Sequence, residues 1–402
     1  MNKETKRIIL QVCLFVLTFI TTTMAGASFA FSKDIYRAWL VINTDYTWAD
    51  FWSGAGFSIP FLLILTVHEF GHYFTAMYHR IKSSLPYYIP FPPLPIFFIG
   101  TMGAIIRLRS RITTNLQNFD IGLAGPLAGF IAIVGVMYYG FTTLPAQDYV
   151  FQFHPEYEQY GERFADVVYE DEYVREHDGA VYLKMGSNLL FEIFEKFVAD
   201  PERIPHPHET MHYPVLMACY IALIFTALNL LPIGQLDGGH IIYGLFGRKG
   251  HNIVATIFFI LLIFYAGLGF ANVHTDKGVV FGFVPEILIW TVVAVWFNYF
   301  CFHGLGWSER NTIMIALLVF AVQFTLVAIF PKVNGYRGWL LFGVIVGRLI
   351  GVAHPPAEVE KPLDTKRIIL GWLMLVIFIL CFSPEPITIE IIGPASEVGV
   401  ES

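Results

Sequence analysis

Long stretches without charge are the feature that most restricts the fold of this chain. Residues 8–31 contain no Asp, Glu, Lys, Arg or His, and the same holds for residues 121–147 and 253–273. A helix that crosses the roughly 30 Å hydrocarbon core of a bilayer needs about 20 apolar residues, and its backbone hydrogen bonds must be satisfied internally. Only 14% of the residues are charged, against about 25% in soluble domains. The sequence therefore predicts an all-α polytopic membrane protein.

We expect about seven to nine transmembrane helices. The main predicted spans are residues 8–31, 51–79, 119–141, 213–246, 252–274, 285–305 and 311–331. Two weaker candidates follow at residues 339–352 and 368–383. The first apolar run is longer than the core of a removable signal peptide, which has about 7–15 residues. We therefore interpret it as a retained span.

Residues 85–109 are apolar but cannot form a straight helix. Their sequence begins LPYYIPFPPLPIFFIG, and each proline removes a backbone donor and disrupts helical geometry. An irregular backbone at membrane depth must be shielded by protein or line a water-filled cavity. The pattern predicts a re-entrant loop or a β-hairpin, in which Gly100 and Gly103 fit a tight turn.

Residues 142–212 form one sizeable water-exposed insertion. They contain 15 acidic and 5 basic side chains, a net charge of −10. The segment NLLFEIFEKFV within them predicts an amphipathic helix. His206, His208 and His212 cluster near the end of the insertion, where a polar loop is favoured over a surface metal site. The net charge of the whole chain is −7, which gives no support to nucleic-acid binding.

The second predicted span contains the sequence HEFGH. Positions four apart face the same side of a helix, so His68 and His72 can reach one metal ion. Glu69 lies beside them, where it can take a proton from a water held by the metal. Such groups in an apolar span are costly to bury and indicate function. The alternative is polar contact between helices, which does not require this spacing.

Asp237 is the best candidate for a third ligand, because a catalytic zinc site uses three protein ligands and one open position. At 1.5 Å per residue, His72 and Asp237 lie about 12 Å and 16 Å from the cytoplasmic ends of their spans. Both spans are expected to run in the same direction, so the groups can meet. The alternative is that Asp237 is a helix N-cap, which would not exclude ligation.

HEFGH in one span together with NLLPIGQLDGGHI in a later one resembles the site-2 protease family of intramembrane zinc metalloproteases. FFIGTMGAII and DIGLAGPLAGF resemble other core elements of that family, and the similarity covers about residues 51–247. The bacterial and plastid subgroup without a PDZ domain is the most similar. The spacing in NLLPIGQLDG is longer than in the simplest NPxxDG form. The resemblance implies that His68, His72 and Asp237 bind one zinc ion per chain and that Glu69 is the catalytic base and acid.

Several further residues have weaker implied roles. Asn229 resembles the family's asparagine near the scissile peptide and can donate to the developing oxyanion, or it is a buried structural amide. His240 is a candidate for the layer behind the metal ligands, or a packing histidine. Gly100 and Gly103 lie where an open strand edge can bind an unwound substrate. The glycine stripe Gly122, Gly125 and Gly129 indicates close helix packing. His354 has no role that the sequence reveals.

The expected function is that of an endopeptidase that cleaves transmembrane segments of membrane-tethered proteins, as in regulated intramembrane proteolysis. The expected partners are the lipid bilayer and single-span substrates, with or without prior trimming by another protease. One alternative is a membrane zinc transporter, which needs buried ligands but no adjacent general base. A catalytically inactive membrane receptor is the other, and retention of the whole set of site residues is evidence against it.

Orientation follows from the basic residues. With the N-terminus in the cytoplasm, the short cytoplasmic segments carry 14 Lys and Arg and the longer opposite segments carry 10, as the positive-inside rule requires. A bacterial inner (plasma) membrane is the expected location. The expected organisation is a first helix and linker (1–50), a catalytic core with HEFGH (51–141), the acidic extracytoplasmic insertion (142–212), a catalytic core with the third ligand (213–250), and additional C-terminal helices (251–402).

Overall fold

Apolar helices dominate the structure. The computed structural model describes residues 2–33, 35–38, 41–92, 99–170, 180–273, 279–280 and 284–392. Within these residues, five helices are long and apolar enough to cross a membrane: Lys3–Phe31, Asn115–Thr142, Asp237–Phe270, Leu288–Leu305 and Glu309–Ile329. Shorter apolar helices occupy Pro214–Asn229 and Trp339–Ile350. The protein is therefore a multi-pass helical membrane protein, as its uncharged runs predicted.

The elements follow one another in a simple order. The helices are α1 (Lys3–Phe31), α2 (Trp48–Ser53), α3 (Ala55–Tyr78), α4 (Asn115–Thr142), α5 (Ala165–Val168), α6 (Leu189–Phe197), α7 (Pro214–Asn229), α8 (Asp237–Val273), α9 (Glu286–Phe302), α10 (Glu309–Ile329), α11 (Trp339–Ile345) and α12 (Thr365–Cys381). The strands are β1 (Tyr36–Ala38), β2 (Val41–Ile42), β3 (Tyr87–Pro90), β4 (Thr101–Ile105), β5 (Ala180–Met185), β6 (Val279–Val280), β7 (Val284–Pro285) and β8 (Ile387–Ile392). They form the antiparallel pairs β1–β2, β3–β4, β5–β8 and β6–β7.

Contacts between residues group the chain into two units. The first contains residues 1–111, 124–228 and 379–402, and the second contains residues 112–123 and 229–378. The first unit thus holds α1 to α3, most of α4, the acidic insertion and nearly all of α7. The second holds α8 to α11 and most of α12. The sequence-based division into five segments stays a prediction.

The proline-rich segment after α3 forms a β-hairpin, which is one of the two structures that its sequence predicted. β3 and β4 pair from Tyr87↔Ile105 to Pro90↔Thr101, while residues 93–98 of the segment lie outside the described residues. Gly100 and Gly103 have φ of +82° and +97°, a conformation that favours glycine.

Two side-chain contacts fix this hairpin against the apolar helices. The amide of Gln11 in α1 donates to the carbonyl of Leu85 at 2.7 Å. The hydroxyl of Tyr88 is hydrogen-bonded to the hydroxyl of Thr66 in α3, also at 2.7 Å. Tyr88 is buried. The hairpin is therefore held beside the part of α3 that leads into HEFGH.

The prediction of one continuous span over residues 213–246 was wrong. α7 ends at Asn229 and α8 begins at Asp237, because Pro232 lacks a helical donor and Gly234 takes a positive φ of +56°. The backbone N–H of Gly234 donates instead to Val352 at 2.9 Å. The break expected at residues 247–251 is present at Gly247, whose non-helical φ of +65° and ψ of −179° divide α8 into two helical segments that meet at a kink.

The acidic insertion contains the predicted amphipathic helix. α6 is capped by Asn188, whose side chain accepts the backbone N–H of Phe191, and it buries Leu190, Phe191 and Phe194. The pairing of β5 with β8 was not predicted from the sequence, because the partner strand comes from the far C-terminal end of the chain. Residues 171–179 of the insertion lie outside the described residues.

Candidate metal centre

His68, Glu69 and His72 lie next to one another in α3. Their exposed fractions are 6%, 5% and 8%, and the Nε2 atoms of the two imidazoles are 3.0 Å apart. Two ligands on a tetrahedral zinc ion are roughly 3.3 Å apart, since zinc–nitrogen bonds are about 2.0–2.1 Å. The same separation permits an N–H···N hydrogen bond between neutral rings. The helical spacing has therefore placed two metal-binding nitrogens at one buried point.

The polar triplet also changes the character of its helix. α3 has 24 residues, enough to cross a bilayer, yet it is not among the five helices that qualify by length and hydropathy. Two histidines and a glutamate lower the hydropathy of an otherwise apolar run. This departure from apolar sequence is the kind that marks a functional position within a membrane helix.

Glycines of α4 make room for the two histidines. A Cβ atom at Gly125 would lie 2.5 Å from Cδ2 of His72 and still closer to its Nε2. A Cβ atom at Gly129 would lie 3.1 Å from the Cβ of His68, and one at Gly71 would lie 2.5 Å from the carbonyl oxygen of Ala124. The predicted close packing of helices at this glycine stripe is confirmed, and it occurs directly against the imidazoles.

Asp237 lies in the second unit and is the first residue of α8. It is half-buried, and a carboxylate in the first turn complements the helix dipole. The two glycines after it are closely covered, since a Cβ atom at Gly239 would lie 2.8 Å from the carbonyl oxygen of Ile233. The carboxylate of Asp237 therefore has a structural role at the start of α8, and its predicted role as a metal ligand stays a prediction.

His240 takes part in a hydrogen-bonded network of the second unit. His354 Nδ1 donates to the carbonyl of Pro355 at 2.5 Å, so its Nε2 accepts from His240 Nδ1 at 2.8 Å. The His354 ring stacks on Tyr243 at 4.3 Å, and the Tyr243 hydroxyl donates to Glu360 at 2.5 Å. The sequence offered no sign of the contact between His240 and His354, because the two residues are 114 positions apart.

The remaining predicted residues lie on both units. Asn229 is the last residue of α7, is half-buried and belongs to the second unit. Gly100, immediately before β4, and Gly103, within it, belong to the first unit. Gly122, the third glycine of the stripe, belongs to the second unit and packs against the side chain of His240. The roles proposed for these residues in chemistry or substrate binding stay predictions.

The donor set fits zinc better than other common metals. Two imidazole nitrogens and a candidate carboxylate are ligands of catalytic zinc sites, whereas magnesium and calcium prefer all-oxygen surroundings. The described part of α3 supplies both imidazoles already turned toward each other. Glu69 is adjacent to His68 in sequence and equally buried. Its carboxylate is not needed as a metal ligand and so is left for proton transfer.

Comparison with known proteins agrees with this chemistry. A family model described as Peptidase family M50 matches residues 56–265, just over half of the chain. That region contains the HEFGH helix, the hairpin, the glycine stripe and the start of α8 with Asp237. No solved structure matches the chain.

Curated relatives come from plants. The rice (Oryza sativa subsp. japonica) protein named probable zinc metalloprotease EGY1, chloroplastic, is 30% identical over 189 residues, covering 46% of this chain and 27% of that protein. Its Arabidopsis thaliana counterpart of the same name is 28% identical over 186 residues, covering 46% and 28%. The Arabidopsis protein named probable zinc metalloprotease EGY2, chloroplastic, is 25% identical over 192 residues. The aligned region therefore spans little more than a quarter of each of these relatives.

Proposed function

This chain belongs to peptidase family M50, and we propose that it is an intramembrane zinc metalloendopeptidase. The observation that carries the proposal is the buried pair of imidazole nitrogens of His68 and His72, 3.0 Å apart beside Glu69. Buried polar groups are costly unless they are satisfied or used. A metal ion bound by the imidazoles of both His68 and His72 would account for their burial at this position.

The proposed zinc ligands are His68, His72 and Asp237. When bound, zinc supplies Lewis-acid chemistry, because it polarises a peptide carbonyl and lowers the pKa of a water it holds to about 7. Gly125 and Gly129 support the two imidazoles from one side, which orients the rings before any metal binds. The aspartate would complete a three-ligand set with one position open to substrate.

Glu69 is proposed to move the proton. Its carboxylate would accept a proton from the attacking water and then donate it to the nitrogen of the departing amine. Burial strengthens this role, because a carboxylate away from bulk water interacts more strongly with a nearby charge. The side-chain amide of Asn229 would donate a hydrogen bond to the carbonyl oxygen of the scissile peptide. His240, held by His354, would act behind the ligands as a positioning residue.

A β-strand edge is the proposed place where substrate becomes extended. β3 and β4 form a two-stranded sheet in which β4 has no further partner among the described residues. Met102 and Ile105 of β4 are 54% and 56% exposed, so the strand offers both backbone groups and apolar side chains. A transmembrane helix that unwinds could pair there by strand addition. Gly103 would let a substrate backbone approach this edge, while Gly100 allows the backbone of Thr21 in α1 to pack against the hairpin.

The substrate class and location are part of the same proposal. The family implies membrane protein substrates, and we propose single-span proteins already trimmed by another protease. The distribution of basic residues supports a cytoplasmic N-terminus, and the resemblance to the bacterial subgroup supports a bacterial plasma membrane. The curated relatives are chloroplastic by name, so reporter fusions at both termini in a bacterial host would test this location and orientation directly.

The acidic insertion is proposed to select substrates. Its net charge of −10 would repel acidic ectodomains, and its bulk would exclude large ones; an inert linker is the alternative. Replacement of residues 150–205 by a short flexible linker should allow cleavage of full-length substrate while trimmed substrate is still cut. Loss of both activities in a folded, zinc-loaded variant would show that the insertion is needed for catalysis or docking.

Glu69→Gln is the central test of the proposed function. Membrane proteomics of a strain with this variant should reveal membrane-embedded fragments that wild-type cells remove, while purified protein keeps its zinc. The double variant His68→Ala/His72→Ala should lose proteolysis and one equivalent of zinc relative to the wild type. His79→Ala, at the C-terminal end of the same helix, is the matched control and should behave as wild type.

Two outcomes would contradict the proposal. Normal cleavage by Glu69→Gln would mean that another group accepts the proton. Zinc transport into proteoliposomes that persists in Glu69→Gln, without any proteolysis by the wild-type protein, would favour a transporter.

A further inference from the structure

The acidic insertion brings together three potential metal ligands outside HEFGH. His154 lies between two short 3-10 helices, and Glu209 and His212 lie in the loop that leads into α7. The Glu209 Oε2 atom is 3.6 Å from Nε2 of His212 and 3.9 Å from Nε2 of His154. The ligand atoms of the three residues all lie within 4.8 Å of one another, and all three residues belong to the first unit.

The other nitrogen of each ring already has an acceptor. His212 Nδ1 donates to the backbone carbonyl of Ala30 at 2.7 Å, and His154 Nδ1 donates to the carboxylate of Glu156 at 3.2 Å. Because a carbonyl and a carboxylate can only accept, the Nδ1 atoms carry the protons. In their neutral forms the two rings therefore turn unprotonated Nε2 atoms toward Glu209.

The carboxylate of Glu209 provides the third potential ligand atom. Its Oε1 atom accepts a hydrogen bond from the Tyr169 hydroxyl. Its Oε2 atom is buried and, within the part of the chain that the structure describes, accepts no hydrogen bond. Glu209 is only 3% exposed, and the distances to both imidazoles exceed the roughly 2.7–3.2 Å of an N–H···O bond. With both rings neutral, three lone-pair-bearing atoms thus face one point, and a bound cation would compensate the charge of the buried carboxylate.

We propose that His154, Glu209 and His212 bind a second divalent transition-metal ion, with zinc as the expected ion. Two imidazoles and one carboxylate are a donor set for zinc. The separations of 3.6 and 3.9 Å are close to the roughly 3.3 Å between ligands on a tetrahedral ion. A carbonyl or carboxylate behind each ligating histidine is the usual support of such a site. This site is independent of the proposed proteolysis.

The rings are held in place by aromatic stacking. Phe153 stacks on His212 at 4.3 Å with an interplanar angle of 11°, and Tyr157 stacks on His154 at 4.6 Å with an angle of 14°. The His154 side chain is 31% exposed, which leaves a route for the ion and space for a water as fourth ligand.

The histidine grouping suggested by the sequence does not match this site. Of His206, His208 and His212, only His212 belongs to it, and His206 stacks instead on Tyr169 at 4.0 Å. The true partner, His154, lies at the opposite end of the insertion. A bound ion would join that end to the loop before α7 and, through Ala30, to the end of α1. The metal would therefore clamp the insertion onto the membrane helices.

The test uses the full-length chain in detergent with the variant His68→Ala/His72→Ala as background, so that HEFGH no longer contributes zinc. After removal of excess metal, this background should still hold about one zinc per chain. Adding His154→Ala should weaken zinc binding at least 100-fold in competition with a chromophoric chelator. Adding His206→Ala instead, which removes a histidine of the same loop, should leave affinity and stoichiometry unchanged.

Cobalt provides a measurement that needs no change at the site itself. Cobalt added to the zinc-free background should give the visible absorption of a tetrahedral complex, and zinc should abolish it. A folded background protein that holds no zinc and gives no such spectrum would overturn the proposal. Undiminished affinity after both His154→Ala and Glu209→Gln are added would overturn it as well. Because His154 is partly exposed, its variant should fold even if the buried Glu209 variant does not.

Discussion

Replacing Gly125 with alanine should disable the candidate metal centre although none of the proposed ligands is mutated. A Cβ atom there would lie 2.5 Å from Cδ2 of His72, with Nε2 closer still, whereas ordinary contact begins at 3.4 Å. The ring would have to retreat by at least 0.9 Å, the difference between these two distances, unless α4 moves by the same amount. Metal–ligand distances tolerate only about ±0.2 Å. We therefore expect His72 to leave the coordination sphere or to bind weakly.

The expected loss is about 100-fold in zinc affinity, or about 2.7 kcal/mol, with a loss of proteolysis of similar size because misplacement by about 1 Å can cost this much. The assays are competition titration of zinc in detergent and cleavage of a reconstituted single-span substrate. Zinc affinity and proteolysis should fall together, since both depend on the position of His72.

Two other glycines of α4 provide matched controls. A Cβ atom at Gly129 would lie 3.1–3.2 Å from His68, so Gly129→Ala should have a smaller effect. Gly135 has nothing within 4 Å of its added Cβ, so Gly135→Ala should keep full zinc affinity and gain about 0.5–1 kcal/mol of stability from better helix propensity. Wild-type zinc affinity and proteolysis in Gly125→Ala would refute the inference that α4 positions the imidazole.

Three further predictions concern depth and stability. Cysteines placed on either side of residues 68–72 should react with small polar reagents from the cytoplasmic side, and labelling only from the opposite side would contradict the topology. Asp120→Asn should destabilise the folded state by about 1–3 kcal/mol, because Asp120 binds Arg367 through two hydrogen bonds of 2.7 Å. Denaturant titration measures this change. An unchanged unfolding midpoint would show that the Asp120–Arg367 pair contributes nothing to stability. Burial lowers the pKa of His206 to about 4, with smaller effects from the neighbouring His208 and Lys184. The unfolded state therefore binds more protons than the folded state between pH 6.5 and 4, and the stability of the folded state should fall as the pH falls through that range. With a chelator present, His206→Gln should flatten this dependence.

Helical periodicity and hydropathy were sufficient for much of the fold. The uncharged runs predicted α1, α4, α9 and α10 with small errors at their ends, since the requirements of a membrane helix are local. The prolines of residues 85–109 predicted a break from helix for the same reason. The error at residues 213–246 came from giving hydropathy more weight than Pro232 and Gly234, which are also local signals and could have been used.

Packing between distant segments could not be predicted in this way. β5 pairs with β8 across about half of the chain, and His240 meets His354 over 114 positions. Neither contact has a periodic pattern, because each depends on how helices bring separate loops together. The same reason explains why sequence proximity grouped His212 with His206, while folding placed it against Glu209 and His154.

The sequence by itself determined that this chain is a helical membrane protein with His68 and His72 of HEFGH on one face of a helix, since hydrogen bonding and side-chain direction within a helix depend only on neighbours along the chain. The tertiary structure alone decided that Gly125 and Gly129 press against His72 and His68, and that a buried carboxylate oxygen of Glu209 faces two imidazoles in the insertion. Both depend on close packing between elements distant in sequence, where a single methyl group or one ring orientation changes what can bind.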